Sequence, residues 1–289
     1  MTRRALVVSH RTRTEAVEAR EIVLRELKAA GVEPVAVGDA TVPEELPEYE
    51  MAIVLGGDGT ILRAAELTRE RGVPMLGVNL GHVGFLAEIE PDDVHTAVRR
   101  LTSGDFEVEE RSTLDVRVLA PDGTATVDWA LNEATMEKTD PALMIEVVVE
   151  VDGRPLSTFG TDGLVIATPT GSTAHAFSAG GPVVWPDVDG LIVVPVAAHA
   201  LFARPLVVGR SSRVAVEVHS RSATAAVVIC DGRRTHAMPV GSRLEVERSS
   251  LPVRLARLTP APFTTRLVSK FGLSVEGWRG RRNGYRSGT

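Results

Sequence analysis

Apolar residues in the N-terminal third come in short runs, and the spacing of those runs sets the fold. Ala5 to Ser9, Val32 to Val37, Met51 to Leu55 and Met75 to Val78 are each long enough for a strand and too uniformly apolar for an exposed one. Thr12 with Glu15 forms a capping box for a helix running to about Ala30 and stopped at Gly31. Helical periodicity recurs from Thr60 to Arg71, ended by Gly72, and from Pro91 to Leu101, ended by Gly104. Strands alternating with helices in this way predict a doubly wound parallel sheet, with ligands at the carboxyl ends of its strands.

Beyond about Phe106 the pattern changes. Leu114 to Leu119, Ala142 to Val151, Leu164 to Thr168, Leu191 to Val194, Leu206 to Val208, Val214 to Val218, Ala225 to Ile229 and Leu244 to Val246 are short β-branched runs separated by Gly, Pro, Asp or Ser. Thr126 to Leu131 is strand-like as well. No long helical period interrupts them, so a β-rich, sandwich-like domain follows the α/β one. Leu251 to Leu258 and Phe263 to Leu267 are expected to return to the first domain. The domain reading is 1–105 α/β, 106–255 β-rich, and 256–289 packing back on the first domain. Its end, Trp278 to Thr289, is a basic surface tail carrying Arg279, Arg281, Arg282 and Arg286.

Strand Met51 to Leu55 runs straight into Gly56-Gly57-Asp58-Gly59-Thr60. Three glycines leave Asp58 as the one long side chain of the turn, so the backbone is free to take positive φ and to approach a bulky anion. The helix that follows aims unpaired N–H groups at the same spot. A carboxylate beside phosphates repels them unless a proton or a cation intervenes, so Asp58 either accepts a proton from an attacking hydroxyl or helps hold Mg²⁺. Both roles imply phosphoryl transfer. The residues alone leave a second reading open, in which Asp-Gly is a common turn and Asp58 caps the helix. A second glycine-rich loop, Asn79 to Phe85, leaves the next strand end and is predicted to lie beside the first, with Phe85 as a nucleotide-pocket wall or a core side chain.

Thr161 to Pro182 is the most unusual stretch of the chain. Thr168, Thr170, Ser172, Thr173 and Ser178 offer hydroxyls on little bulk, which suits a ribose or an amide; equally, they could satisfy the loop's own backbone. Ser172, His175 and Asp162 invite a hydrolase reading by residue type, but no nucleophile-elbow sequence surrounds the serine. Asn132-Glu133 sets an amide and a carboxylate side by side at a strand end, to hold a sugar diol or purine edge or simply to form an exposed turn.

Composition narrows these options. A net charge of −6 argues against nucleic acid as the main partner. The single cysteine, Cys230, excludes internal disulfides and suggests a reducing, cytoplasmic setting. Ala5 to Val8 is too short for a signal peptide. Leu191 to Val208 is interrupted by Pro195, His199, Arg204 and Pro205, so it reads as two buried strands joined by a polar loop, not as a membrane span. Lysine occurs only at Lys28, Lys138 and Lys270, which excludes a Walker-type phosphate loop. His82, His199, His219 and His236 show no metal-ligand spacing with Cys230, so no structural zinc is expected.

Together these motifs resemble the NAD kinase family, in an actinobacterial-like bacterial form, over nearly the whole chain. The carrying residues are Gly56 to Thr60, Gly81-His82-Val83-Gly84-Phe85, Asn132-Glu133, Asp162-Gly163-Leu164, Thr168 through Pro182, Arg204-Pro205 and Asp231-Gly232. The first of these is shared with lipid kinases and phosphofructokinases; the Thr168 to Pro182 block is specific. The resemblance implies ATP-dependent phosphorylation of NAD on the 2′-hydroxyl of its adenosine ribose, with Asp58 as the base and a divalent cation, Mg²⁺, carried on the ATP phosphates. It implies phosphate contacts from Gly56, Gly57, Gly59 and Thr60. Contacts to NAD would come from Asp58, Gly59, Arg63, Phe85, Asn132, Glu133, Thr170, Thr173, Ala174, His175 and Ser178. Asp162 would reach the nicotinamide end, commonly across a subunit interface, in a homodimer or homotetramer. Three positions depart from the family pattern: His175 replaces a usual Tyr, and Leu143 and Gly160 stand where a basic residue is common. The competing readings are a lipid or sugar kinase sharing the glycine-Asp turn, and a catalytically silent dinucleotide sensor.

Overall fold

The computed structural model describes residues 2–10, 14–38, 45–80, 84–89, 93–259 and 262–275. Thr12 of the expected capping box, Gly81 to Val83, Pro91 and the Trp278 to Thr289 tail lie outside the described residues. The chain divides into two compact units: residues Met1–Ala64, Met75–Glu107 and Ala256–Thr289 form the first, and Ala65–Pro74 with Val108–Leu255 form the second. The short stretch 65–74, in the middle of the α/β sequence pattern, belongs to the second unit.

In the first unit, β1 (Arg4–Ser9), α1 (Thr14–Ala29), β2 (Glu33–Gly38), β3 (Met51–Leu55), α2 (Asp58–Thr68), β4 (Met75–Val78) and α3 (Val94–Ser103) follow one another. Strands β2, β1, β3 and β4 are neighbours in that order and pair in parallel. Every residue of β3 is buried, as a parallel strand covered on both faces requires, which is why Met51 to Leu55 shows no polar alternation. Ala16, Ala19, Val23 and Leu27 of α1 and Val94, Ala97, Val98 and Leu101 of α3 close over this sheet in one core. Ala256 and Leu258 join the same core, so the chain does come back to the first unit after the β-rich region.

The second unit contains β5 (Glu107–Arg111, whose first residue falls on the boundary), β6 (Leu114–Leu119), β7 (Ala125–Ala130), β8 (Glu133–Lys138), β9 (Ile145–Val151), β10 (Arg154–Thr161), β11 (Gly163–Ala167), α4 (His175–Ser178), β12 (Gly190–Val196), β13 (Leu206–Gly209), β14 (Val214–Val218), β15 (Ala226–Cys230), β16 (Arg234–Met238), β17 (Arg243–Arg248) and the start of β18 (Val253–Arg257). Two antiparallel sheets, ordered β10-β9-β14-β17-β6-β7 and β13-β12-β11-β8-β15-β16, share one core from Leu114, Val116, Met136, Ile145, Ile166, Val193, Val228 and Leu244. This is a sandwich. Leu191 to Val208 resolves into β12 and β13, paired antiparallel, and among the described residues no helix is long and apolar enough to cross a membrane.

Strands β5, β8, β10 and β16 are absent from the sequence reading. Strands β10 and β16 are edges, where polar residues are tolerated and little alternation is needed. Strand β8, EATMEK, is central and buried at Glu133 to Met136 in spite of its two acids, a case of tertiary context overriding local propensity. The last helix, α5 (Phe263–Phe271), ends at Gly272 with φ of 59° and belongs to the first unit.

Candidate active site

The glycine turn departs from expectation in one respect. None of Gly56, Gly57 and Gly59 has positive φ, and at Gly56 the missing side chain serves close approach instead. A Cβ on Gly56 would sit 2.7 Å from Thr60 Cβ, so Thr60 is buried only because position 56 is glycine. At Gly57 and Gly59 a Cβ would meet nothing within 4 Å, so the space beside both residues is open. Helix α2 starts two residues earlier than the periodicity suggests, and the Gly57 carbonyl accepts the N–H groups of Thr60 at 2.9 Å and Ile61 at 3.2 Å. Asp58 therefore stands in the first helical turn, where unpaired N–H groups favour an anion.

The described end of the second glycine loop, Gly84-Phe85, meets the first. The N–H of Phe85 donates to Asp58 Oδ2 at 3.1 Å and that of Leu86 donates to Asp58 Oδ1 at 3.1 Å. A Cβ on Gly84 would collide with the same carboxylate, so only glycine lets the loop lie this close. The Phe85 ring is buried and packs at 5.6 Å from Phe263 and 6.1 Å from Phe271 between ring centres. The ring therefore has a packing role, and Phe85 also brings its N–H to the acid. Arg63 sits half-buried on α2.

In the second unit, Asn132-Glu133 is a buried junction between β7 and β8, not an exposed turn. The N–H groups of Leu131 and Asn132 donate to the Asp231 carboxylate at 2.9 and 2.7 Å, and Asp231 N–H donates to the Glu133 carbonyl at 3.0 Å. Asp231 has φ of 51°, a left-handed position that Asp tolerates better than most residues. Arg234 backs it at 3.2 Å and also pairs with Asp128 at 2.9 Å and Glu66 at 2.8 Å. Burial first, then the charge of Asp231, pushes the Glu133 carboxyl up to about 8. Burial raises Asp231 too, against two N–H groups and Arg234 that favour its anion. Glu133 Oε2 is buried without a hydrogen-bond partner, which fits a carboxyl that keeps its proton.

The hydroxyl-rich block divides into two sets. Thr168 Oγ1 donates to the Leu131 carbonyl at 2.6 Å and accepts the Gly171 N–H at 3.1 Å, while Ser172 Oγ bridges the N–H and carbonyl of Val184 at 3.0 and 3.1 Å. Both are buried and serve backbone groups, Thr168 tying the loop to the β7–β8 junction, and Ser172 is engaged with Val184, which argues against it as a nucleophile. Gly171 lies against the Asn132 backbone, since a Cβ there would come within 2.8 Å of Asn132 Cα. Thr170 is buried, Thr173 and Ala174 are half-buried, and His175 and Ser178 on α4 are exposed. His175 Nδ1 lies 3.3 Å from Thr135 Oγ1.

Asp162 and His175 both line a cleft of about 320 Å³, together with Thr135, Glu137, Lys138 and Gly163. Lys138 Nζ lies 2.7 Å from Asp162 Oδ1. Sequence reasoning missed Lys138; the signal available was lysine scarcity, since the chain has only three. Leu143 is exposed, and Gly160 has room for a Cβ at 3.5 Å from the Met144 methyl. Another cavity, of about 460 Å³, is bordered by Arg69, Asp115, Arg117, Trp129, Arg213, Glu245 and Glu247, with its arginines already paired to its acids. Asp128, Cys230 and His236 come within 4.8 Å of one another, a grouping that sequence spacing did not indicate. His236 Nε2 is 2.6 Å from Asp128 Oδ2, Arg234 holds the other oxygen, and burial pushes the Cys230 thiol up, so this donor set is hydrogen-bonded and ill suited to a cation.

Comparison with known proteins agrees with these motifs. Residues 37–106 match the ATP-NAD kinase N-terminal domain and residues 131–258 the ATP-NAD kinase C-terminal domain. The chain is 56% identical over 292 residues to the NAD kinase of Leifsonia xyli, covering 95% of this chain and 96% of that one. It is 52% identical to the NAD kinase of Thermobifida fusca, covering 96% and 92%. Among solved structures, an Archaeoglobus fulgidus NAD kinase in complex with ATP superposes with a TM-score of 0.74 at 31% identity, covering 93% and 97%. Yeast NADH kinase complexed with NADH shares the fold, with a TM-score of 0.82 at 20% identity over 100% and 91% of the two chains. With both domain models matched and such identity sustained along its length, the chain belongs to the NAD kinase family.

Proposed function

We propose that Asp58 is the proton acceptor of the reaction. The protein is a kinase that makes NADP from NAD with ATP, and the chemistry of that conversion places the new phosphate on the 2′-hydroxyl of the adenosine ribose. The observation that carries the proposal is the seating of Asp58: two backbone N–H donors at 3.1 Å, in the first turn of a helix whose flanking glycines leave open space. Each carboxylate oxygen keeps a lone pair for the incoming proton. Phosphoryl transfer through a loose transition state asks more of positioning than of base strength, so a rigidly aimed acid suits it.

The first unit would serve as the α/β domain gripping phosphates through Gly57, Gly59 and Thr60, and the β-rich unit as the dinucleotide-binding domain. Asn132 and Glu133 would hold the adenosine side of NAD, Thr170, Thr173, Ala174, His175 and Ser178 would line the dinucleotide, and Asp162 would reach the nicotinamide. Mg²⁺ is assigned to the ATP phosphates, whose charge it would neutralise beside the Asp58 carboxylate. Self-assembly into a homodimer or homotetramer is supported by apolar side chains left in solvent, Leu201 fully, and Leu156, Phe202 and Val207 at 50%, 56% and 53%. Free Cys230 supports a cytoplasmic setting.

The test is NADP formation from NAD, ATP and Mg²⁺ by wild type and Asp58→Asn. A general base contributes about 10²- to 10⁴-fold, so the variant should lose at least about 10² in kcat while NAD binding by calorimetry is kept. Near-normal turnover by Asp58→Asn would overturn the assignment. Lipid or fructose-6-phosphate acceptors, run alongside, should give no product.

A further inference from the structure

The peptide group joining Phe85 to Leu86 is bonded on both sides. Its N–H, from Leu86, donates to Asp58 Oδ1 at 3.1 Å, and its carbonyl, from Phe85, accepts from Arg266 Nη1 at 2.7 Å. A guanidinium drawing electron density toward the carbonyl oxygen makes the N–H of the same amide a stronger donor, because bonds in a chain polarise one another. We propose that Arg266 is a positioning residue for Asp58, acting through this one peptide group, and that α5 thereby belongs to the catalytic apparatus.

Three further observations bear on it. Phe263, Arg266 and Phe271 share one side of α5, so the helix meets Phe85 with two rings on its side chain and a cation on its carbonyl. On the far side, Gly84 lies against the Asp58 carboxylate with no room for a Cβ. Arg257 Nη1 donates to the Leu86 carbonyl at 3.0 Å, which fixes the next peptide and leaves the Leu86 N–H little freedom to turn from the acid. None of α5 is fully buried, so its packing alone is a weak reason for a cation at that carbonyl.

The inference rests on Asp58 as proton acceptor, and the experiment separates the two. Arg266→Ala should lower kcat about tenfold, the scale of one charge-assisted hydrogen bond, with KM for NAD and for ATP within about twofold of wild type. Arg266→Lys should retain most of the activity, and millimolar guanidinium should restore part of it to Arg266→Ala. The amide resonance of Leu86 should move in Arg266→Ala even where melting temperature does not. If Arg266→Ala turns over within about twofold of wild type while Asp58→Asn is inactive, or loses activity only in step with its folded fraction and without guanidinium rescue, the proposal is wrong. If Asp58→Asn itself stays active, the reading of Asp58 fails, and an unmoved Leu86 resonance would then overturn the polarised peptide independently.

Discussion

The carboxylate of Asp231 accepts the backbone N–H of Asn132 at 2.7 Å, across 99 residues of sequence. Its second oxygen takes Leu131 N–H at 2.9 Å, so one buried acid fixes the turn that presents Asn132 and Glu133. Asp231→Asn keeps the shape and tolerates the left-handed backbone, but turns an amide NH₂ or a neutral oxygen toward those donors. Hydrogen bonds to a charged group are worth about 1.5–3 kcal/mol, so thermal unfolding should show a loss on the order of 2 kcal/mol. KM for NAD should rise about tenfold, with kcat less affected. Steady-state kinetics showing unchanged KM would remove Asp231 from the positioning of this turn.

Gly171 has a similar dependence on a single contact. Its missing side chain lets the 3₁₀ turn at Thr170–Thr173 rest on the Asn132 backbone, whose carbonyl also accepts Thr168 N–H at 2.9 Å. Gly171→Ala puts a methyl into backbone atoms that cannot yield, and overpacking of this kind typically costs about 1–3 kcal/mol. The expected result is a lowered melting temperature with weakened NAD binding by calorimetry. A variant of wild-type stability would mean that the turn relaxes freely.

Much of this was legible in the sequence because the determinants are local. Strands Met51 to Leu55 and Met75 to Val78 have the bounds their apolar runs indicate, and Gly104 ends α3 with φ of 78° as a glycine stop should. The glycine-Asp turn and the Asn132-Glu133 pair are contiguous motifs and could be singled out one residue at a time. What stayed hidden depends on residues far apart in the chain. No spacing rule joins Asp58 to Leu86, Asp231 to Asn132 or Arg266 to Phe85, since strand order and chain return decide those meetings. Thr168 and Ser172 looked like ligand donors because a hydroxyl's partner is invisible until the fold supplies it. The packing of Phe85 was hidden for the same reason, its partners Phe263 and Phe271 lying on the last helix.

Lys138 and Asp162 form an ion pair at 2.7 Å on the wall of the His175 cleft, and Lys138 also donates to the Pro141 carbonyl at 2.9 Å. Lys138→Met removes a cation and leaves the Asp162 carboxylate without that anchor, in a cleft proposed to receive an anionic dinucleotide. KM for NAD should rise about three- to tenfold at low salt, and the difference from wild type should shrink at high salt, where the Debye length falls to about 3 Å. A difference independent of salt would mean that the lysine acts by packing alone.

Glu133 gives the fold a pH dependence whose sign can be worked out. Its carboxyl titrates at about 8 in the folded protein, against an ordinary value of 4.5 in the unfolded chain, because burial and then Asp231 disfavour its anion. Between those values the folded state holds a proton that the unfolded state has released, so the contribution is fully present below 4.5 and is lost as pH rises through 8. Glu133→Gln imitates the protonated form at every pH. Its melting temperature should therefore fall less steeply than that of wild type between about pH 5 and pH 8.5. Asp231, raised by the same burial, keeps some slope in both proteins, so the comparison lies in the difference. Activity adds a second readout, since a neutral Glu133 can donate as well as accept a hydrogen bond. KM for NAD should climb above pH 8 in wild type and stay flatter in Glu133→Gln. Parallel melting curves across the range would mean that water or a rearranged side chain satisfies the Glu133 anion, and the proton would have to be assigned elsewhere.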